Sequence, residues 1–225
     1  MSYDLDTLIA RWRSEMEDTV EPYLWTNAEI VEYFGEAQDE FCEEVDVLNH
    51  ELTINYTATD PWVSIPYYVT RIRGAETPEG RDVSLFNYEE FLDCMKTDDY
   101  GISSLATDWK SKTGSYPEAM ITDIEKGKGR LYPIPTADGT FTLTIYRRAI
   151  EPLEDSEELE VVDREHQRCI LLKARSLGYL KHDSETYDST KAADFDALFD
   201  DQIMELKSRV ARSRRRAKAT AYGGL

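Results

Sequence analysis

The sequence predicts an α+β fold. Helices from both ends of the chain form one bundle, a small, mostly antiparallel β-sheet is inserted between them, and an extended basic tail follows. Three observations carry this reading. Apolar residues recur every three to four positions towards both ends, and every second position in the middle. The 225 residues carry 26 basic and 45 acidic side chains, a net charge of −19. Yet residues 206–225 hold seven basic residues and no acid, which leaves −26 on residues 1–205. The segments expected are 1–50 for the N-terminal helices, 51–152 for the β-rich insert, 153–211 for the C-terminal helices and 212–225 for the tail.

Leu5, Leu8, Ile9, Trp12 and Met16 recur at helical spacing and predict a first helix over about 4–18. Glu21-Pro22 is a break. Thr26 reads as an N-cap, and Glu29 completes a capping box. Ile30, Phe34, Ala37, Phe41, Val45 and Leu48 then form one stripe, so a second helix is expected over about 27–49. Gly35 within it costs about 1 kcal/mol relative to alanine. Close packing against the first helix is the expected reason.

After His50 the period changes. Leu52, Ile54 and Tyr56 alternate with polar neighbours, as in a half-buried strand. Short apolar runs at 62–65 and 69–75 predict two more strands. Asn87 opens a short helix with Glu90 at the capping-box position, and Tyr88, Phe91, Leu92 and Met95 lie on one side. The stretch 97–117 is polar and irregular, with Trp109 as its anchor. A hairpin follows: strand 118–125, the turn Lys126-Gly127-Lys128-Gly129, and partner 130–134. Pro133 and Pro135 confine that partner to an edge or end it early. Ala137-Asp138-Gly139 turns into a strongly β-prone strand with Phe141, Leu143 and Ile145 on one face.

Residues 151–160 read as an acidic linker. Asp163 caps a third long helix, about 163–182, carrying Ile170, Leu171, Ala174, Leu177 and Leu180. A last helix begins at Asp188 or Ser189, with Ala193, Leu198 (or Ala197), Ile203 and Leu206 inward, and fades into Val210. Beyond it, residues 212–225 lack an apolar stripe and read as a mobile tail that extends the helix on binding.

The sequence excludes several classes of function. No apolar run approaches the roughly 20 residues that cross a bilayer. Met1-Ser2-Tyr3-Asp4 does not open a signal peptide, and the expected place of synthesis is the host cytoplasm. Cys42, Cys94 and Cys169 are too dispersed for a disulfide framework or a zinc site. His50, His166 and His182 stand far apart and read as solvated or packed. Neither HExxH, GxSxG nor a P-loop occurs, and Gly127-Lys128-Gly129 joins two strands rather than opening a helix. The loop 183–188 lacks the glycine and final glutamate of an EF-hand. Carboxylate pairs abound, as 45 acids require, so they carry no catalytic signal. Neither a cofactor, a metal nor an enzymatic activity is expected.

The basic end is the one informative constellation. Lys207, Arg209, Arg212, Arg214, Arg215, Arg216 and Lys218 present forked or point-charge donors suited to carboxylates or phosphates. Tyr222 adds a small apolar anchor. One such arm binds weakly and with salt sensitivity, whereas several on a ring bind with avidity.

Two blocks carry a resemblance. The helix led by Leu-Trp-Thr-Asn-Ala-Glu-Ile at 24–30, running through Glu36-Ala37-Gln38-Asp39-Glu40-Phe41, resembles the N-terminal helix of tailed-phage head-to-tail adaptor (connector, or tail accessory factor) proteins. The block from Tyr116-Pro117-Glu118 through Gly129-Arg130-Leu131-Tyr132-Pro133-Ile134-Pro135 and Asp138-Gly139 to 141–147 is more similar still. The order of these pieces over about 200 residues carries the resemblance. Arg147-Arg148-Ala149 departs from it, standing where the family has an apolar-Pro ending, with proline arriving only at Pro152.

The resemblance implies a structural virion protein at the head–tail junction. Such proteins form a ring, commonly a dodecamer, below the portal protein; they extend the DNA channel and give tail (nozzle or tail-completion) proteins a platform. It also implies that the C-terminal helix and tail dock on the portal. An acidic body suits a conduit through which genomic DNA passes without specific binding. Two other readings are another virion ring component, such as a tail-completion protein, and a nucleic-acid-binding module using the basic tail.

Overall fold

The computed structural model describes residues 3–96, 109–150, 153, 158–183 and 185–216. The chain is α+β and clusters into two units, residues 1–48 with 148–225, and residues 49–147.

The first unit is helical. Helix α1 (Leu5–Glu15) is capped by Asp4, whose carboxylate accepts from Thr7 N at 2.7 Å. Helix α2 (Asn27–Glu44) starts from the expected box. Thr26 Oγ1 accepts from Glu29 N at 3.2 Å, and Thr26 N donates to Glu29 Oε2 at 2.7 Å. It ends earlier than its apolar stripe does. Val45 is extended yet buried, so the stripe continues into non-helical chain. Leu8, Trp12, Ile30, Phe34 and Phe41 form the centre of one core with Ile170, Leu171 and Ala174 of helix α4 (Arg164–Tyr179). Asp163 caps α4 as expected, accepting from Glu165 N at 2.8 Å. The segment read as a linker contributes too, since Leu153, Leu159 and Val161 are buried in this core.

Polar pins fix the unit's irregular chain. Buried Gln167 accepts from Tyr3 N at 2.9 Å, and buried Gln38 accepts from Val161 N at 3.1 Å. Between α1 and α2, Arg13 donates to Asp18 Oδ2 at 2.5 Å, Trp25 O at 2.9 Å and Asn27 Oδ1 at 2.6 Å. Trp25 Nε1 donates in turn to Gly178 O at 3.1 Å, which ties this connection to the end of α4.

Gly35 corrects the sequence-based expectation. A Cβ there would meet nothing within 4 Å, so it does not serve close packing. Gly35→Ala should therefore stabilise the protein by about 1 kcal/mol, since alanine is the better helix former. A thermal melt should show Tm raised by about 2–4 °C. A lowered Tm would mean that the open space is needed.

The second unit holds nine strands and one helix among the described residues. Instead of one sheet there are three small ones. Strand β9 (Gly139–Arg147) lies between β1 (Asn49–Tyr56) and β3 (Val69–Glu76), antiparallel to both. Its Phe141, Leu143 and Ile145 are fully buried, as their alternation predicts. The second sheet has the order β2 (Trp62–Ser64), β7 (Lys128–Tyr132), β6 (Ala119–Glu125), β4 (Ser84–Phe86). The β6–β7 pair is the expected hairpin with a shorter turn, Lys126-Gly127, where Gly127 takes φ +74°. Gly129 already lies in β7, and a Cβ on it would come within 2.6 Å of Met120 Sδ. Strand β4 pairs in parallel with β6, and β5 (Thr113–Gly114) pairs in parallel with β8 (Ile134–Pro135). Proline at 133 and 135 ends β7 at Tyr132 and leaves only the two-residue β8 beyond.

The β2-β7-β6-β4 sheet has two different faces. Val63, Met120 and Leu131 share a core with the residues of β1, β3 and β9. Ala119, Ile121 and Tyr132 belong to another, with Phe91 of helix α3 (Tyr88–Lys96) and Trp109. Trp109 is the anchor expected of its segment, with its ring 5.1 Å from Phe91. The capping box at Asn87 is present: Glu90 N donates to Asn87 Oδ1 at 2.8 Å, and Asn87 N donates to Glu90 Oε2 at 3.3 Å.

Candidate docking end of the last helix

Helix α5 (Ser189–Arg216) is the longest element of the chain. Asp188 Oδ1 accepts from Thr190 N and Lys191 N, both at 3.0 Å, and so caps its start. The helix runs to Arg216, past the point near Val210 where the sequence pattern fades. Its buried stripe is Ala192, Phe199, Ile203 and Leu206 rather than the Ala193 and Leu198 expected. Leu198 is 49% exposed. Ile203 and Leu206 are buried as expected, and the first two positions sit one residue off because 192 and 199 are the ones in helical step with them.

Contacts along α5 show that it runs antiparallel to α4. Ser176 Oγ donates to Ala192 O at 2.9 Å, Lys173 meets Asp196 at 2.9 Å, and Arg209 meets Glu165 at 2.7 Å. Since α4 begins at Arg164, the α5 residues after Arg209 project beyond it. Seven residues at about 1.5 Å each extend roughly 10 Å. The acids of α5, Asp194 to Glu205, lie towards its N-terminal part, and the basic cluster lies at its C-terminus. That order complements the helix dipole.

The basic residues do not form one uniform patch. The Lys207 ammonium pairs with Glu44 at the end of α2. Arg209 forks, one nitrogen to Glu165 and the other to Glu205 at 2.8 Å. Donating to the Glu205 and Glu165 carboxylates raises the Arg209 pKa, and accepting from Arg209 lowers that of Glu205. All of these groups are exposed, so water and salt screen the pairs. Arg212 is exposed, and Arg214, Arg215 and Arg216 occupy the last helical turn. Lys218 and Tyr222 lie outside the described residues.

The acceptors Glu44 and Glu165 were not picked out from sequence. Only the Glu205–Arg209 spacing of four is visible there. The structure thus keeps Lys207 and Arg209 on the chain's own carboxylates and leaves the Arg212–Arg216 end to project beyond α4.

Nothing here gathers the other candidate residues. His166 packs on the Phe41 ring at 5.3 Å, His182 stacks on Tyr187 at 5.6 Å, and His50 is exposed on β1. Cys42 and Cys169 are buried, and burial pushes the Cys169 thiol up to about 12. Among the described residues no group of three or more His, Cys, Asp or Glu is placed to hold a metal ion. Among the same residues no helix is long and apolar enough to cross a membrane.

No curated protein matches the chain. The family comparison agrees with the resemblance carried by the helix at 24–30 and the hairpin block. The model of the SU10 adaptor protein matches residues 3–222, nearly the whole chain, and the chain belongs to that family of phage head-to-tail adaptor proteins.

Proposed function

We propose that this phage adaptor is a non-enzymatic ring component below the portal, at the head–tail junction of the virion. Copies of the chain, twelve in the common arrangement of such rings, extend the DNA channel and present a platform to the tail proteins. The C-terminal end of α5 and the residues after it dock on the portal protein. The observation that carries the docking is the cationic helix end that projects past α4. Four arginines within five residues match carboxylates on a partner in a forked geometry. Each contact alone is weak and screened, and repetition around a ring supplies the strength. The strongly acidic body repels the phosphate of passing DNA and so leaves the genome free to move.

Deleting residues 212–225 should abolish portal binding while the fold persists, because the buried stripe of α5 ends at Leu206. Binding is read by co-sedimentation with portal rings, and folding by circular dichroism. A folded, truncated protein that binds portal as the full chain does would overturn the docking role.

A further inference from the structure

The β2-β7-β6-β4 sheet carries a second cationic place, far in sequence from the tail. Helix α3 and Trp109 pack on the Ala119, Ile121 and Tyr132 side of one face. Residues 62, 64, 128 and 130 alternate onto that same face, because Trp62 pairs with Arg130, Ser64 with Lys128 and Ala119 with Tyr132. The Arg130 guanidinium lies 5.3 Å from the Trp62 ring and 5.1 Å from the Trp109 ring, and donates to Lys110 O at 2.9 Å. Its Nε is buried with no acceptor among the described residues. Exposed Lys110 and Lys112 flank it, and Lys128 extends the row. Within the row, Lys128 pairs with Glu125 at 2.7 Å. Tryptophan faces holding a guanidinium, rimmed by ammonium groups, suit an acidic protein surface.

We infer that this cationic–aromatic face binds the acidic α2 face of a second copy of the chain. The inference rests on the proposed ring and adds to it the surfaces that meet.

Charge decides the occupant. Residues 1–48 and 148–205 hold 9 basic and 30 acidic side chains, so two such bodies repel unless a cationic face lies between them. This sheet face supplies one, and the tail is taken up by the proposed portal docking. On α2, Glu32, Glu36 and Glu43 fall on one side at spacings of four and seven. Glu32 and Glu36 are exposed and have no cationic partner among the described residues. As like charges four apart they destabilise their helix, and a partner's lysines relieve this. Gly35 between them leaves the helix backbone open to close approach. Joining two different patches of one chain gives a heterologous contact, the kind that closes into rings.

Zero-length carbodiimide coupling of a mixture of ¹⁴N- and ¹⁵N-labelled full chains, in about 0.1 M salt, tests this. Isotope-mixed peptides should join Lys110, Lys112 or Lys128 of one copy to Glu32 or Glu36 of another. The variant carrying Lys110→Glu, Lys112→Glu and Lys128→Glu should lose them, and mixing it with a Glu32→Lys, Glu36→Lys partner should restore lateral association. Mixed-isotope links that avoid these residues, or no such links, would overturn the inference. A triple variant that instead loses affinity for a short DNA duplex, with its links to α2 unchanged, would overturn it in favour of nucleic acid. Portal co-sedimentation is a separate readout. Links at these residues without portal binding would retire the docking role and keep this face.

Discussion

Arg13→Ala should destabilise the helical unit by about 3–5 kcal/mol, as much as removing a large core side chain. Arg13 is 8% exposed and Asp18 3% exposed, so the guanidinium and carboxylate face each other away from water. The pair does more than neutralise. Asp18 Oδ1 also accepts from Leu24 N at 2.9 Å, and Arg13 satisfies the carbonyl of Trp25 and the side chain of Asn27. The ring of Tyr23 lies 3.9 Å from the guanidinium carbon. Removing Arg13 leaves a buried carboxylate unpaired, the buried Trp25 carbonyl without its donor, and the part-buried Asn27 side chain without one partner. Asp18→Asn keeps an acceptor for Leu24 N and removes the charge, so it should cost less. Urea unfolding of both variants checks the order. Equal losses, or a loss below about 1 kcal/mol for Arg13→Ala, would mean that water replaces the pair.

Trp12 and Gly178 should show the strongest coupling in the protein. Trp12 is fully buried, and its ring meets Trp25 edge-on at 5.1 Å. A Cβ on Gly178 would come within 2.6 Å of Trp12 Cζ2 and 3.3 Å of Met16 Cε. Neither neighbour has room to move, since both are buried in the same core. Trp12→Ala should cost about 3–5 kcal/mol by leaving a cavity. Gly178→Ala alone should cost about 1–3 kcal/mol by overpacking. In the Trp12→Ala background the same glycine change should become neutral, or stabilising by up to about 1 kcal/mol, because only helix propensity remains. The double-mutant cycle reads this directly. Additive losses would show that the close approach of ring and helix is not what selects glycine.

These two sites also show what sequence conveys and what it does not. Arg13 stands four residues after Ile9 and eight after Leu5, on the apolar side of α1. A cation in an apolar stripe signals a buried partner, but nothing local says that Asp18 is the partner. Gly178 reads as an ordinary glycine near a helix end, because its neighbour Trp12 is 166 residues away. Where the information is local, the sequence was legible. The boxes Thr26–Glu29 and Asn87–Glu90, the Asp163 cap, the β6–β7 hairpin and the alternation of β9 all follow from spacing.

Where it is not local, legibility ended. Strand β4 has three residues, and its parallel partner β6 lies 35 residues on. The end of α2 was hidden because Val45 is buried whether helical or extended. The first half of the α5 stripe was displaced by one because Leu198 and Phe199 are adjacent apolar residues, and packing alone chooses between them, whereas Ile203 and Leu206 were legible. For the candidate site, the basic charges were legible and their acid partners were not. Glu44 and Glu165 are brought to α5 by tertiary packing.

In the proposed assembly this chain joins a portal ring through the projecting end of α5. Light-scattering mass with negative-stain imaging, for the protein alone and mixed with its portal ring, tests it most directly. Alone, the protein should scatter as a monomer whose lateral contacts are transient and are trapped only by coupling, because acidic bodies repel; with portal, it should add as a stoichiometric collar. A protein that stays monomeric in the presence of portal would contradict it.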